Sequence, residues 1–256
     1  MKAIIIGAGR GRRLEHLTEE VPKTLVPILG RPMLESILEA LAAGGLVPPE
    51  VVFIAGYRSE VVRGRYPSLA FVENAEWERN NILLSLLCAR EHLAGGFVSS
   101  YADIVYRPST VRALVGSPHD ITLVCDTAWR RRYTGRSQHP EHDAEKLRIG
   151  PDGRVTEISR RIPSEEASGE FIGVMRLTAA GAARFVRAFD EVLERFGTEA
   201  EFREGRSLEK AYLIDLLQHM VASGEIVHAL PVEGGYMEID TTEDARLAEA
   251  WWADIG

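Results

Sequence analysis

Cysteine is nearly missing from this 256-residue chain: Cys88 and Cys125 are the only two, and neither has a spaced partner. That argues against a disulfide framework or a paired-cysteine zinc site, and makes a reducing, cytoplasmic setting the expectation. No apolar run approaches the roughly 18 residues needed to span a bilayer, so no membrane partner is expected. The first residues, Met1 to Gly7, reach a glycine turn too soon to read as a secretory signal. A basic excess is missing as well. Thirty Lys and Arg stand against 38 Asp and Glu, a formal charge of −8, which disfavours nucleic acid as a partner. A small anionic ligand remains compatible wherever cations cluster locally. Internal repeats and low-complexity tracts are lacking too, and 45% apolar with 27% charged residues is ordinary globular composition.

What is present is an alternation. Apolar, β-branched runs predict strands at 2–6, 51–55, 70–73, 97–103 and 121–126, and amphipathic patterns predict helices at 32–43, 59–65, 82–93 and 109–115. This is the pattern of an α/β fold with a doubly wound, mostly parallel sheet. After residue 127 the pattern changes to a polar stretch and short β-like pieces at 146–149, 154–159 and 170–177, with a hairpin turn at Gly150-Pro151-Asp152-Gly153. Helices at 179–196 and 207–222, strands at 226–231 and 236–240, and a helix from 242 to 253 complete the expectation. No linker composition appears, so the chain reads as one domain, with a first half to about residue 126 and a small inserted β-rich lobe with closing elements after it.

The first strand runs into Gly7-Ala8-Gly9-Arg10-Gly11-Arg12-Arg13-Leu14. Glycines let a ligand approach the backbone, and successive amides can cradle phosphate. A glycine-rich turn without a ligand is the ordinary alternative. The loop is no dinucleotide fingerprint, because Arg12 stands at the last glycine position, and no Gly-Lys-Ser/Thr closes a P-loop. Its cations decide otherwise. Arg10, Arg12 and Arg13, with Lys23 close by in Pro22-Lys23-Thr24-Leu25, form a cluster that calls for an anion.

Gly9, Gly11, Arg13, Leu14, Thr18, Pro22, Lys23, Gly30, Pro32 and Leu34 together resemble the signature of the nucleotidyltransferases that join a nucleoside triphosphate to a phosphorylated small molecule. The chain departs from that signature with Gly7, where alanine is common. The resemblance implies that Arg13 and Lys23 contact the triphosphate, with Gly7, Ala8, Gly9, Arg10, Gly11 and Arg12 forming its cradle. It also implies Mg²⁺ as cofactor, held by Asp103 at the end of the strand from Phe97 and by Asp240 in Tyr236-Met237-Glu238-Ile239-Asp240. Read from the residues alone, Asp103 could equally cap a helix, and Thr241 or Thr242 with Asp244 reads as a structural cap. Glu238 could be a supporting group or a solvated strand residue.

Within that superfamily, Asn80-Asn81-Ile82-Leu83-Leu84-Ser85 and Ser100-Tyr101-Ala102-Asp103-Ile104 are similar to the cytidylyltransferases acting on phosphocholine, 2-aminoethylphosphonate and related phosphonates, or inositol phosphate. The segments from Cys125 through Arg136, Ala144 to Leu147 and Gly169 to Gly173 agree, so the likeness covers nearly the whole chain. It implies CTP as nucleotide donor and places Asn81 and Ser85 near the nucleoside. Arg130, Tyr133, Arg136, Glu170 and Tyr236 are the acceptor-binding candidates. For the arginine run the ordinary reading is a solvated connector; bidentate recognition of phosphate or phosphonate is the functional one. His139 and His142 fit no zinc spacing and read as exposed loop residues.

These residues predict Mg²⁺-dependent transfer of a cytidylyl group to a small phosphate or phosphonate acceptor. Two rivals share the loop: a sugar- or inositol-phosphate nucleotidyltransferase using CTP, UTP or dTTP, and a non-catalytic nucleotide sensor. Trp251-Trp252 raises a homodimer contact or simply a packed helix end.

Overall fold

The computed structural model describes the backbone of residues 1–255, and the side chains of residues 1–248 and Ala250. The Trp251-Trp252 pair, and with it the homodimer contact raised from the sequence, lies outside the described side chains.

Strand β1 (Lys2–Ile6) is flanked by β2 (Val51–Ala55) and β4 (Phe97–Tyr101), both parallel to it, and β3 (Ala70–Glu73) extends the sheet beyond β2. Ala3, Ile4, Ile5, Val51, Val52, Phe53 and Ile54 are all fully buried. Continuous apolar runs of this kind belong to strands covered on both faces, so the absence of strict alternation in β1 and β2 is what puts them at the centre. Helix α1 (Met33–Ala43) turns Leu34, Ile37 and Leu41 into that core, and α2 (Ser59–Arg65) crosses between β2 and β3.

Beyond β4 the sheet becomes antiparallel. The long strand β9 (Gly169–Leu177) pairs with β4 and β6 (Ile121–Asp126), and near its start with β7 (Lys146–Ile149), which carries the hairpin partner β8 (Val155–Ser159). The register of β9 shifts between Phe171 and Met175, where Gly173 adopts a positive φ of 77° and the Tyr101 ring occupies the place of a Cβ. Strand β10 (His228–Val232) lies parallel to β6, completing nine strands. The β-rich lobe therefore grows out of the main sheet and shares its hydrogen bonding.

Several expected elements differ in extent, among them the strands expected at 226–231 and 236–240, which run His228–Val232 and Tyr236–Glu238. The strand from Phe97 stops at Tyr101, and Ala102-Asp103 bends before the short β5 (Ile104–Tyr106), which pairs with β11 (Tyr236–Glu238). The helix from Ile82 ends at Cys88, giving α3 (Ile82–Cys88) and then a single 3₁₀ turn. Before α6 (Leu213–Ala222) the chain is extended at Ala211 and Tyr212, and Asp215 accepts the Tyr212 amide at 2.7 Å as a cap, so the helix starts six residues later than its apolar pattern predicts. The remaining helices are α4 (Pro108–Val115), α5 (Ala179–Phe196) and α7 (Thr242–Ile255). Among the described residues no helix is long and apolar enough to cross a membrane.

Candidate active site

After β3 the chain crosses back over β1 to form β4, so the sheet has a topological switch point between β1 and β4. Open α/β sheets bind ligands at such points, outside the carboxyl ends of the strands. The glycine loop leaves β1 there and Asp103 leaves β4 there. A cavity of about 130 Å³ lies between them, lined by Gly7, Gly9, Gly11, Lys23 and Asp103. Gly11 has φ 72°, and the Lys23 side chain passes where its Cβ would stand, so this glycine both turns the loop and lets the lysine through. Gly7 meets the Phe53 ring in the same way, which explains a glycine where the related signature has alanine.

Lys23 sits on a short 3₁₀ turn behind Pro22 and is 9% exposed. Its ammonium donates to Asp103 Oδ2 at 2.7 Å and also to Asp240, which Arg13 reaches from the other side. Burial pulls the Lys23 amine down, but Asp103 and Asp240 outweigh it and hold it above the ordinary lysine value. For Asp240, burial pushes upward, and Lys23 and Arg13 overcome it to bring the carboxyl to about 2. Glu238 is paired with no lysine or arginine among the described residues, and His139 stands 3.4 Å from it. Burial, then Asp240 and Asp103, drive it well above the usual carboxylate range.

Two buried polar atoms without a hydrogen-bond partner belong to residues lining this cavity, Thr24 Oγ1 and Asp103 Oδ1, and a third, Arg10 Nε, lies on the adjoining glycine loop. Buried polar groups are nearly always paired, so a cluster of orphans marks a place built for a polar ligand. Arg10 stands over the Tyr57 ring at 5.4 Å, while Arg12 is exposed beside it.

A second cavity of about 190 Å³ shares Ile6, Gly9 and Asp103 with the first and adds Ala8, Trp77, Asn81 and Ser85. Asn81 caps α3 through the Ile82 amide at 2.8 Å and donates to the Lys210 carbonyl. The Ser85 hydroxyl accepts from Asn74 at 2.7 Å. Asn81 and Ser85 thus line the cavity with side chains already fixed by the protein. Asn74, which holds Ser85 and Asn80 together, was no site candidate from the sequence.

On the far side of Asp240 a narrow cavity of about 30 Å³ is lined by Tyr101, Glu145, Arg160, Glu170, Tyr236 and Glu238. Glu170 and Tyr236, two of the acceptor candidates, line it. Tyr133 lies behind Glu170, donating to it at 2.7 Å, with Arg132 as the second partner at 2.7 Å. Glu145, Tyr101 and Arg160 were missed. They come from three different strands or strand ends, and only the pairing of β4, β7, β8 and β9 brings them together.

Two acceptor candidates are corrected by the structure. Arg130 is exposed and pairs with Glu141 at 3.0 Å, away from the cavities described here. Arg136 has its side chain buried in an ion pair with Asp244 at 2.7 Å and donates to the Glu238 carbonyl, which commits its Nε and Nη2 to the protein. Of the run, the buried arginine that supports the site is Arg132. His139 is also corrected: it is 2% exposed, edge-on to Tyr133, 3.3 Å from Asp244 and 3.4 Å from Glu238. His142 is exposed, as expected. Asp244 accepts the Asp240 and Thr241 amides at 2.9 Å, and Thr241 Oγ1 accepts the Asp244 amide in return, so this capping pair fixes the carboxylate beside it.

Residues 3–164 match the family described as the MobA-like NTP transferase domain. The CTP:phosphoglutamine cytidylyltransferase of Campylobacter jejuni is 26% identical over 96% of this chain and 98% of its own length. The 2-aminoethylphosphonate cytidylyltransferase of Lancefieldella rimae is 35% identical over 88% of this chain and 86% of its own. In fold, the CTP:phosphocholine cytidylyltransferase of Streptococcus pneumoniae superposes with a TM-score of 0.73 at 24% identity, covering 98% of both chains. The chain belongs to the MobA-like NTP transferase family, and it is a nucleotidyltransferase.

Proposed function

We propose that the chain transfers a cytidylyl group from CTP to a small phosphate or phosphonate acceptor, with Mg²⁺, releasing pyrophosphate. The observation that carries this reading is the Lys23–Asp103–Asp240 cluster, set between a cationic glycine loop and an acidic, aromatic cavity. The names of the relatives supply the nucleotide and the acceptor class: CTP, phosphoglutamine and 2-aminoethylphosphonate.

The residues present suit Mg²⁺. They offer hard carboxylate oxygens, and Asp103 Oδ1 is buried without a partner. Asp240 and Glu238 also have oxygens within 4.8 Å of each other and of a His139 nitrogen. Asp103 and Asp240 would hold the ion, and it would supply charge neutralisation at the α-phosphate.

The rest falls to the protein. Glycine-loop amides, with Arg10, Arg12 and Arg13, would bind the triphosphate and receive the departing pyrophosphate. Lys23 would lie against the α-phosphate, where charge grows in the transition state. An acceptor oxygen forms the new bond to the α-phosphorus while the bond to the β-phosphate oxygen breaks. A phosphate or phosphonate oxygen is already ionised near neutral pH, so no general base is needed, and positioning carries the rate. On the acceptor side, Glu145, Glu170 and Glu238 between Tyr101 and Tyr236 suit a positively charged amine.

A pyrophosphate-release assay crossing CTP, UTP, ATP and GTP with 2-aminoethylphosphonate, phosphocholine, phosphoglutamine, inositol 1-phosphate and glucose 1-phosphate tests this. Release with CTP and an amine-bearing acceptor supports it. Release only with a sugar phosphate contradicts it, and no release with any pair favours the sensor.

A further inference from the structure

Asn74 is the first residue after β3, and its amide donates to the Ala55 carbonyl at 2.8 Å, so the end of the sheet fixes its backbone. Its side chain is 1% exposed and stands behind the cavity that Trp77, Asn80, Asn81 and Ser85 line. Both donors and both lone pairs of its amide are taken. Oδ1 accepts the Glu76 amide at 3.1 Å and Asn80 Nδ2 at 2.9 Å, and Nδ2 donates to Asn80 Oδ1 at 2.9 Å and Ser85 Oγ at 2.7 Å.

The backbone decides which end of that amide is which. The Glu76 N–H only donates, so Oδ1 is the atom facing it and the amino group faces Ser85. The Ser85 oxygen therefore receives a hydrogen from Asn74, and its own hydrogen must point elsewhere. Among the described residues the Ser85 hydroxyl donates to no protein atom, while its side chain lines the cavity. Asn80 gives one amino hydrogen to Asn74 and keeps the second uncommitted at the same cavity. The cavity is thus offered two donors. Cytosine presents two adjacent acceptors, N3 and O2, whereas uracil keeps O2 and carries a hydrogen on N3.

We infer that Asn74 is a positioning residue for the choice of nucleotide: by donating to Ser85 it commits the serine hydroxyl as a donor to cytosine N3, and so favours CTP over UTP. Asn80 would meet O2, which both bases share, so Ser85 carries the difference. The inference rests on the proposed reading of CTP as the donor nucleotide and names what selects it. Uracil would set its N3 hydrogen against the serine hydrogen, leaving a donor unmatched at a cost of about tenfold in affinity.

Isothermal titration with CTP and with UTP, in Mg²⁺, reads the selection without requiring turnover, and pyrophosphate release reads it in kcat/KM. The wild-type chain should prefer CTP by about tenfold or more. Asn74→Asp keeps the acceptor for the Glu76 amide but puts a second acceptor where the amino group was, which draws the Ser85 hydrogen away from the cavity. The CTP-to-UTP ratio should then fall by about tenfold. Asn74→Leu removes the donor without adding a charge and should lower the ratio by weakening CTP, which keeps the test open where the buried carboxylate disturbs the fold. In a Ser85→Ala background, Asn74→Asp should leave the ratio unchanged, because its effect passes through the serine. Circular dichroism identifies the folded variants. Equal weakening of both nucleotides in folded variants, an undiminished shift in the Ser85→Ala background, or a wild type that takes CTP and UTP alike would overturn the inference. Selective CTP binding without transfer to any acceptor would support it and sink the transfer reading instead.

Discussion

Lys23 Nζ lies 2.7 Å from Asp103 Oδ2 and pairs as well with Asp240, so one ammonium ties the end of β4 to the loop after β11. The two carboxylates come from distant parts of the chain and would repel one another without it. The same lysine lines the cavity under the glycine loop. It therefore has a structural task in the free protein and a catalytic one in the proposed reaction.

Removing that ammonium separates the two tasks. Lys23→Met should lower turnover by about a hundredfold or more, as loss of a donor to developing charge does. It should also lower the melting temperature in EDTA, because two facing carboxylates lose their shared cation. Added Mg²⁺ should recover much of the melting temperature and little of the rate, read by thermal denaturation and pyrophosphate release on the same variant.

Asp103→Asn keeps the shape of the side chain and takes away its charge. Turnover should fall by about two orders of magnitude, while the fold survives, since Asp103 is partly exposed and makes one ion pair. Near-normal turnover at saturating Mg²⁺ would show that Asp103 does not hold the metal.

Acid should act through Asp240 and Asp244. In Asp240, burial works against ionisation, and Lys23 and Arg13 prevail, taking it from an ordinary 3.8 to about 2. Asp244 is also held below the usual range: burial opposes, and His139 and Arg136 win. A depressed carboxylate adds stability that is complete above its unfolded value and disappears as pH falls through its folded value. For Asp240 that window runs from about pH 4 to about pH 2 and spans about 2 kcal/mol. Denaturant titrations in EDTA should show stability falling across this range, with a shallower fall in Asp240→Asn.

Gly7 is set against Phe53. Gly7→Ala should cost about 1–3 kcal/mol by overpacking, and Phe53→Leu should recover part of it. Urea unfolding of the two single variants and the double variant measures the coupling; simple additivity would mean that the ring moves aside freely.

These sites differ in how visible they are in the sequence. Ile4 to Ile6 and Val51 to Ala55 declare central strands because burial on both faces demands uninterrupted apolar residues, and that demand is local. The cationic glycine loop stands out because its glycines and arginines lie together at the end of one strand, whereas Lys23, Asp103 and Asp240 come into view as a set only through the family resemblance. Arg136 and His139 are not legible. They lie in a polar, glycine- and proline-containing stretch that resembles a solvated loop, and their burial comes from Asp244 and Glu238, about a hundred residues away. Lys146 is illegible for a similar reason: a lysine on a short strand normally faces water, and only the pairing of β7 with both β8 and β9 encloses it. The start of α6 is not legible because apolar spacing continues upstream of Tyr212, whereas the cap from Asp215 sets the boundary.

The proposed reaction forms one particular bond, between an acceptor oxygen and the α-phosphorus of CTP. ³¹P nuclear magnetic resonance of the protein with CTP, Mg²⁺ and 2-aminoethylphosphonate or O-phosphoserine observes it directly. In the proposed transfer the triphosphate signals decline as free pyrophosphate and a mixed anhydride, with two mutually coupled phosphorus resonances, appear in equal amounts. Disappearance of CTP to cytidine monophosphate and pyrophosphate, with the acceptor resonance unchanged, would contradict it.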